Sequence, residues 1–443
     1  MESCGGSSSQ RRWFRGWRDG LWLLSVVHFA AHADRILPAI VAPNLKAGFQ
    51  LTDAQLGLLL GPAFVLAFVA ATLVVGPYAD RLPRYRLLAF SVLGWSLACI
   101  GFGLAGRFEH LVGARLALGL GQALLAPTAL SLILQRAPVA KAGRAIALFT
   151  SGATLGRSSA LLAGGAILAA LAWAPTPDDV QAATSSWRWL FLISALPNLL
   201  LAAALFRRAE PVLTAAEGLR SGSVADWLRH TPAVWLHLSI SGAALLLAQS
   251  VAVWGPSMFG RSTGLGPAVS AIWTGCAVLL GAPIGHAVGG HLVDQARKAR
   301  RPPTVALAAS LVTTIPAALL LGLVEGPLPL ALALLVLTVC VGAAAVAALA
   351  GFQPLVPLRL RGRGNALYFA TISLVGLGLG PPLVGLVSDR LGESSGGLTL
   401  ALAGTVAAVA LPAAIASVLS GKAWSVAAQA ATSSPHAGGD QAA

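Results

Sequence analysis

Four charged side chains interrupt apolar stretches in the N-terminal half of the chain. They are Asp34, Arg35, Arg115 and Arg157. A charged side chain in lipid costs about 3 kcal/mol or more unless it faces a cavity or a partner. Arg115 shares a helix face with Gln122, about two turns further on. We therefore predict that Arg115 lines a cavity, and a salt bridge that serves structure alone is the alternative.

Two histidines precede the first of these charges. On a helix, His28, His32 and Arg35 fall within about 60° of one another. Asp34 points about 100° away from Arg35. Because imidazole titrates near neutral pH, the histidines could act as a pH switch. Their spacing also occurs in metal sites, but no third ligand is evident, so we predict no metal and leave cavity and packing roles open.

The elements that carry these residues are transmembrane helices. Of 443 residues, 56% are hydrophobic and 10% are charged, whereas soluble domains carry about 25% charged residues. Twelve apolar stretches are each long enough to cross a bilayer. They run roughly over 21–43, 54–79, 86–106, 110–134, 144–172, 187–206, 233–259, 269–293, 304–324, 327–352, 364–389 and 397–420. We predict an all-α membrane protein of twelve helices in two pseudo-symmetric six-helix bundles.

The placement of basic residues predicts the orientation. The net charge is +14, and most of the 30 Lys and Arg residues fall in alternate loops, starting with the N-terminal segment. Cytoplasmic loops carry such an excess, so both termini of this multi-pass protein are predicted to be cytoplasmic. Basic and aromatic residues do not interleave, so no nucleic-acid partner is predicted. Lipids of the membrane are expected partners, and the protein is predicted to be a monomer.

The chain divides at a central polar segment. The predicted parts are a cytoplasmic tail at 1–19, a six-helix bundle at 20–206, a cytoplasmic linker at 207–232, a second six-helix bundle at 233–420 and a tail at 421–443. Both tails are predicted to be disordered. Thr214 and Glu217 have capping-box spacing, which predicts a short linker helix. Arg11-Arg12 could instead begin a cleaved signal, but apolar sequence continues past the supposed cleavage site, which favours a first membrane helix.

A charged loop follows the second apolar stretch and has a counterpart in the other half. Residues Gly76-Pro-Tyr-Ala-Asp80-Arg81-Leu-Pro-Arg84 resemble the GxxxDRxxRR loop of the major facilitator superfamily, and Gly290 to Asp294 repeat part of it. The resemblance implies a gating role on the cytosolic side. The implied gate residues are Gly76, Asp80, Arg81, Arg84 and Asp294.

Further motifs resemble the bacterial Spinster-like branch of that superfamily. They are the Asp34-Arg35 pair, Trp95-Ser96, Arg115 in the fourth stretch and Arg363-Gly364-Asn365 in the eleventh. Members of the branch are thought to move lysophospholipids or sphingoid phosphates, with proton coupling in bacterial members. The resemblance implies that Asp34 is the protonatable group and that Arg35 and Arg115 meet an anionic head group.

Two positions depart from the branch. The family glutamate that follows the arginine of the fourth helix is Gln122 here, and an amide cannot titrate. Arg157 is an added cation, which could pair with Asp34 or widen the anion site. Both departures leave proton coupling open.

Together these features predict a secondary active transporter that works by alternating access. An amphipathic anion is the expected substrate, because the deep charges lie in one half and the other half is nearly pure Ala, Leu, Val and Gly. The resemblance to the Spinster-like branch implies that this anion is a lysophospholipid. No ATP-binding loop or hydrolase motif occurs, so neither an enzyme nor a cofactor is predicted. A small organic anion symporter of the same fold is the first alternative. A membrane scaffold or enzyme without transport is the second, although gate motifs in both halves argue against it.

Overall fold

A computed structural model describes residues 6–79, 82–136, 142–172, 186–209, 223–357, 360–392 and 396–433. Nearly all of these residues are helical. The helices are α1 (Gly6–Ile40), α2 (Ala42–Phe49), α3 (Asp53–Leu60), α4 (Pro62–Ala79), α5 (Arg84–Gly103), α6 (Phe108–Gln122), α7 (Leu125–Arg136), α8 (Ala142–Ala172), α9 (Trp187–Phe206), α10 (Val224–His230), α11 (Pro232–Thr263), α12 (Pro267–Lys298), α13 (Pro303–Leu320), α14 (Pro327–Phe352), α15 (Arg361–Leu391), α16 (Gly397–Leu419) and α17 (Gly421–Ser433).

Within this described part of the chain, twelve helical spans are long and apolar enough to cross a membrane. The prediction of an all-α, twelve-helix membrane protein is thus confirmed. The second span, Asp53–Val74, consists of α3 and α4, and the fourth, Phe108–Ile133, consists of α6 and α7. Backbone hydrogen bonds closed within each helix are what allow such segments to enter lipid.

The predicted disorder at both ends is wrong for the described residues. Helix α1 begins at Gly6, because each residue added to an existing helix gains a hydrogen bond. Helix α17 forms at Gly421–Ser433, where Trp424 is 8% exposed and its indole N–H donates to the carbonyl of Gly351 over 2.7 Å. Burial of this aromatic ring offsets the entropy lost on ordering the segment.

The central linker contains a short helix after its predicted position. Helix α10 spans Val224–His230, and the Ser223 side chain accepts a hydrogen bond from the backbone N–H of Asp226. This is ordinary N-capping by serine. The predicted capping pair Thr214 and Glu217 lies outside the described residues.

Contacts group the chain into two compact units. The first unit comprises Met1–Thr52, Pro62–Leu213 and Leu265–Leu279, and the second comprises Asp53–Gly61, Thr214–Gly264 and Leu280–Ala443. The bundle boundaries expected from the sequence remain a prediction.

The first unit is built on close helix pairs. Helix α1 packs along α8, α5 packs on α6 and α9, and α4 packs on α6. A Cβ atom on Gly156 of α8 would collide with the carbonyl oxygen of Phe29 on α1, so this crossing requires glycine. Small residues at such crossings are typical of membrane helices, because they let the backbones approach.

The second unit has α11 at its centre. Helix α11 packs on α14, α15 and α16, while α13 packs on α14 and α16. Helix α3 packs on α15. A buried aromatic cluster, which includes Trp227, Phe352, Tyr368 and Trp424, ties α10 and α17 to the helices beside them.

Candidate functional site

Arg35 on α1 is held by a neutral amide. Its Nε and Nη2 atoms donate to Oε1 of Gln122 over 3.2 and 2.9 Å. The Nε2 atom of Gln122 donates to the carbonyl of Ala31 over 3.0 Å. This orientation of the amide is required, because the flipped amide would point its donors at a group that can only donate. Gln122 is 1% exposed at the last residue of α6, so the bond is shielded from water.

Arg115 lies next to Arg35. Its guanidinium is 2% exposed and donates from Nη1 to the carbonyl of Arg35 over 3.3 Å. Both guanidinium groups lie over the ring of Phe64. The Cζ atom of Arg35 is 4.4 Å from the ring centroid, and the Cζ atom of Arg115 is 5.4 Å from it. Aromatic rings attract cations in this arrangement. Two guanidinium groups therefore share one aromatic ring inside the first unit.

Asp34 faces a different helix, as its helical angle predicts. Its Oδ2 accepts a hydrogen bond of 2.6 Å from Nδ2 of Asn198 on α9, and both side chains are buried. Asn198 was missed in the sequence. The available signal was an amide in the middle of an otherwise apolar stretch, which is costly unless it has a partner.

A small cavity connects Asp34 with Arg115. It is lined by Asp34, Pro38, Ala98, Cys99, Phe102, Ala114, Arg115, Leu118 and Phe191. Most of these side chains are apolar, so the cavity presents one carboxylate and one guanidinium in a surrounding of low polarity. Such a surrounding strengthens any charge interaction that forms there.

The two histidines bond to backbone carbonyls. His28 Nδ1 lies 2.8 Å from the carbonyl of Phe149, whose ring stacks on the imidazole at 4.1 Å between centroids. His32 Nδ1 lies 3.1 Å from the carbonyl of His28. Since a carbonyl only accepts, each Nδ1 carries a hydrogen. In the described part of the chain, no three His, Cys, Asp or Glu side chains are grouped as a metal site requires.

Arg157 on α8 joins the same region. It is half-buried and lies within electrostatic range of Arg35 and His28. All seven predicted substrate or coupling residues thus lie in the first unit. They are His28, His32, Asp34, Arg35, Arg115, Gln122 and Arg157.

A second buried polar group lies in the second unit, and it was not predicted. Asp53 at the start of α3 is 2% exposed, and its carboxylate accepts two hydrogen bonds from Arg261, over 2.6 and 2.5 Å. Ser388 donates to the same carboxylate over 2.7 Å. Asp389 accepts from the backbone N–H groups of Asp53 and Ala54 over 2.8 and 2.9 Å. We call these four residues, Asp53, Arg261, Ser388 and Asp389, the Asp53 network.

Close helix packing supports this network. A Cβ atom on Gly385 of α15 would collide with the carbonyl of Asp53, so a glycine is needed where α3 meets α15. Two carboxylates near one helix N-terminus are stabilised by the free N–H groups and the helix dipole. Sequence alone gave no signal for the partners, because Asp53, Arg261 and Asp389 are far apart in the chain.

The sequence profile of the Major Facilitator Superfamily matches residues 24–381. The match covers most of the chain and contains every one of the predicted site residues. The chain belongs to the Major Facilitator Superfamily. It is therefore a multi-pass membrane transporter by family.

Relatives within the superfamily carry different functions. An MFS-type efflux pump of Mycolicibacterium smegmatis is 25% identical over 410 residues, which cover 90% of this chain and 91% of that protein. A probable sulfoacetate transporter, SauU, of Cupriavidus necator is 28% identical over 295 residues. That alignment spans 63% of this chain and 65% of SauU, just under two thirds of its length.

The fold resembles that of a solved superfamily transporter. A bacterial homologue of the human lysosomal transporter Spinster, in an inward-facing and unoccupied conformation, superimposes with a TM-score of 0.78 and 22% identity. The superposition covers 96% of this chain and 99% of that protein. At this identity the likeness establishes the fold.

The predicted gate residues of this superfamily member are only partly described. Asp80 and Arg81 lie outside the described residues, and Gly76 lies on α4. Arg84 begins α5 and is 4% exposed. The carboxylate of Asp294 is 67% exposed and lies 3.9 Å from Arg297 on the same helix. The gating role of these residues remains a prediction.

Proposed function

We propose that this transporter is a Spinster-like member of its superfamily and that it moves an amphipathic anion by alternating access. A lysophospholipid is the first candidate for the substrate. One observation carries the proposal. Arg35 and Arg115 flank the ring of Phe64, and a cavity reaches Arg115. Arginine forks match the oxygens of phosphate and carboxylate groups, so two buried guanidinium groups near a cavity favour an anionic substrate.

We assign proton coupling, where it occurs, to Asp34. Its partner Asn198 donates a hydrogen bond that either protonation state of the carboxyl can accept. The carboxyl can therefore change charge without losing this contact. Gln122 cannot titrate, whereas the Nε2 atoms of His28 and His32 can still accept a proton, so these histidines are the alternative carriers.

The test is flux of labelled lysophospholipid in proteoliposomes, with and without an imposed pH gradient. Arg115→Ala should reduce the flux at least about 30-fold, since loss of a buried charged contact costs about 2 kcal/mol or more. Arg107→Ala is the matched control, because Arg107 is an exposed arginine just before the same helix. Equal flux in the two variants would remove Arg115 from the substrate site. A response to the pH gradient that is unchanged in Asp34→Asn would remove Asp34 from the coupling role.

A small organic anion is the second candidate. The similarity to a probable sulfoacetate transporter favours it, and the same arginines would serve. The experiment therefore includes labelled sulfoacetate as a parallel substrate. Flux of sulfoacetate without flux of lysophospholipid would place this candidate first. Absence of flux for every anion tested would favour a scaffold or an enzyme.

The membrane orientation belongs to the same proposal. We assign both termini to the cytoplasm of a bacterium and the gate residues Gly76, Asp80, Arg81, Arg84 and Asp294 to the cytosolic side, because basic residues favour that side. Fluorescent and phosphatase fusions at the C-terminus test this assignment. If the phosphatase fusion is active and the fluorescent fusion is not, the C-terminus lies outside the cytoplasm and the assignment is reversed.

A further inference from the structure

We propose that the basic end of α12 binds an anionic phospholipid of the surrounding membrane, as a lipid that stays with the protein and is not its cargo. The residues concerned lie between Leu280 and Arg301, in the second unit, whereas the proposed substrate site lies in the first. The binding site does not depend on the proposed function. Only its assignment to the cytosolic leaflet rests on the orientation proposed above.

One face of α12 passes from apolar to polar side chains along its length. Its exposed positions recur every three or four residues: Leu280, Ile284, Val288, His291, Gln295 and Lys298. These steps keep all six positions within about 80° around the helix axis. Leu280, Ile284 and Val288 are 56, 49 and 40% exposed, as side chains that contact acyl chains are. A phospholipid along this face would place its chains on these residues and its head group at the polar ones.

The polar part of the face offers hydrogen-bond donors. Nε2 of Gln295 donates to Nε2 of His291 over 2.7 Å, so in the neutral imidazole Nδ1 carries the hydrogen and is a second donor. Side chains on a helix lean toward its N-terminus, so the Lys298 ammonium reaches back along the same face toward the apolar residues. Donors and a positive charge therefore meet where the acyl chains would end.

Positive charge dominates this end of the helix. Residues 294–301 contain four basic side chains and one acidic side chain, which gives a formal charge of +3. The acidic residue is Asp294, whose exposed carboxylate lies 3.9 Å from Arg297. Lys298, Arg300 and Arg301 are exposed as well. We call Arg297, Lys298, Arg300 and Arg301 the basic turn, and its charge favours a phosphate group over a zwitterionic or neutral head group.

The backbone of the basic turn is held in a defined conformation. The N–H of Arg301 donates to the carbonyl of Ala296 over 2.8 Å, and the N–H of Arg300 donates to that of Arg297 over 3.0 Å. These two bonds form a Schellman motif, in which glycine is the usual residue at the left-handed position. Arg300 occupies that position with φ of 55°, whereas α11 ends on Gly264 with φ of 72°. Arginine is strained in this conformation, which points to a role for its side chain.

The two features together favour a membrane lipid over a soluble anion or an acidic protein. A soluble partner would meet the basic turn but would leave the exposed apolar residues beside it unused. An anionic phospholipid uses both, because its phosphate is covalently joined to its acyl chains. Each Lys or Arg beside an anionic lipid surface strengthens binding by about fivefold.

The experiment measures binding of labelled dioleoylphosphatidylglycerol and dioleoylphosphatidylcholine to the purified full-length protein in detergent micelles. The two lipids have the same acyl chains, but only the first has a net negative charge. We expect phosphatidylglycerol to bind at least about tenfold more tightly, with an advantage that shrinks as salt is added, because salt screens exposed charges. Equal binding of the two lipids would overturn the proposal.

Arg300→Gly separates lipid binding from folding. Glycine suits the left-handed position, so the thermal unfolding midpoint of this variant should be equal to or higher than that of the unmodified protein. Because the guanidinium is lost, phosphatidylglycerol should bind about fivefold more weakly. Unchanged binding in this folded variant would remove Arg300 from the site and contradict the reason given for its conformation.

A matched pair of triple variants tests the site as a whole. The triple variant Lys298→Gln, Arg300→Gln and Arg301→Gln should lose about 100-fold in affinity for phosphatidylglycerol. The control removes three exposed arginines from other basic segments through Arg207→Gln, Arg229→Gln and Arg363→Gln, and it should lose much less. Equal losses in the two triple variants would mean that net charge, and not this site, attracts the lipid, and would overturn the proposal.

A last variant separates this lipid from the proposed cargo. Arg115→Ala alters the proposed substrate site in the first unit, so phosphatidylglycerol binding should be unchanged if the lipid lies on α12. Binding that is lost in Arg115→Ala and kept in the triple variant of the basic turn would place the lipid in the substrate site and overturn the proposal. Since binding is measured without transport, failure of the flux experiment would reject the proposed function alone.

Discussion

Two polar groups of side chains hold their charges in different ways: the Asp53 network of the second unit, and a polar centre in the first unit. The polar centre consists of Asp34, Arg35, Arg115, Gln122, Arg157 and Asn198. In the Asp53 network, a carboxylate meets a guanidinium in a two-bond ion pair, and Asp389 meets the N–H groups of a helix start. In the polar centre, Arg35 meets the amide of Gln122 and Asp34 meets the amide of Asn198. The carboxylate of Asp53 thus meets an opposite charge inside the protein, whereas Arg35 and Asp34 are bonded in these contacts to neutral amides.

This difference indicates different roles. A buried charge with an opposite charge at hydrogen-bond distance has its electrostatic need met by the fold. A buried charge whose partner is an amide is oriented, but it still favours a counter-charge from outside. We therefore propose a structural role for the Asp53 network and a role in ligand binding for the polar centre.

Asp53→Asn should destabilise the protein most. Removal of one member of a buried pair leaves Arg261, which is 22% exposed, beside a neutral group, and costs about 3 to 5 kcal/mol. Chemical denaturation of the purified protein in detergent measures this loss. The double variant with Arg261→Met should recover part of it, since no charge then lacks its partner.

Asp294→Asn provides the matched control for that experiment. Its ion pair with Arg297 is exposed, so the same chemical change should cost less than about 1 kcal/mol. If Asp53→Asn and Asp294→Asn lose equal stability, the Asp53 network is not the structural element that we describe. Neither variant should alter ligand preference.

Asn198→Ala should have a smaller effect on stability and a larger one on function. It removes the donor to a buried carboxylate, which costs about 1 to 3 kcal/mol. Because Asp34 would lose its orientation, the flux of the Asn198→Ala variant should fall. By contrast, the fraction of Asp53→Asn protein that remains folded should bind anions with the normal preference. Parallel denaturation and flux measurements check both parts. A variant with normal flux would remove Asn198 from the site.

Asp389→Asn should have the smallest effect of this series. The amide oxygen can still accept from one of the two N–H groups, of Asp53 or Ala54, while the other must turn to water and the negative charge at the start of α3 is lost. Charge at a helix start is worth about 0.3 to 1 kcal/mol. The loss should shrink at high salt in the same denaturation assay, since salt screens this interaction. A loss as large as that of Asp53→Asn would make Asp389 an equal partner in the ion pair.

Much of the fold could be predicted because lipid imposes strong local rules. Each span needs about 20 apolar residues, so the twelve spans are visible in the sequence without any tertiary information. Helical angles also placed Asp34 and Arg35 on different faces of α1. In the structure, Asp34 bonds to Asn198 on α9, and Arg35 bonds to Gln122 on α6. Local periodicity is sufficient for both results.

Partners across the chain could not be predicted in the same way. Asn198 and Asp34 come together only when α1 and α9 pack in the first unit, and Asp53 and Arg261 only when α3 and α11 are in place. Helix α17 was missed for the same reason, since its stability comes from the aromatic cluster that buries Trp424. These contacts join residues that are distant in sequence.

The sequence by itself determined the number of spans, the family and the identity of the charges placed in lipid. These follow from composition and short-range spacing, because the bilayer penalises every unsuitable residue locally. The tertiary structure alone decided which charges meet an opposite charge and which are held by amides. That choice depends on side-chain distances of about 3 Å between different helices, which only the packing of the helices sets.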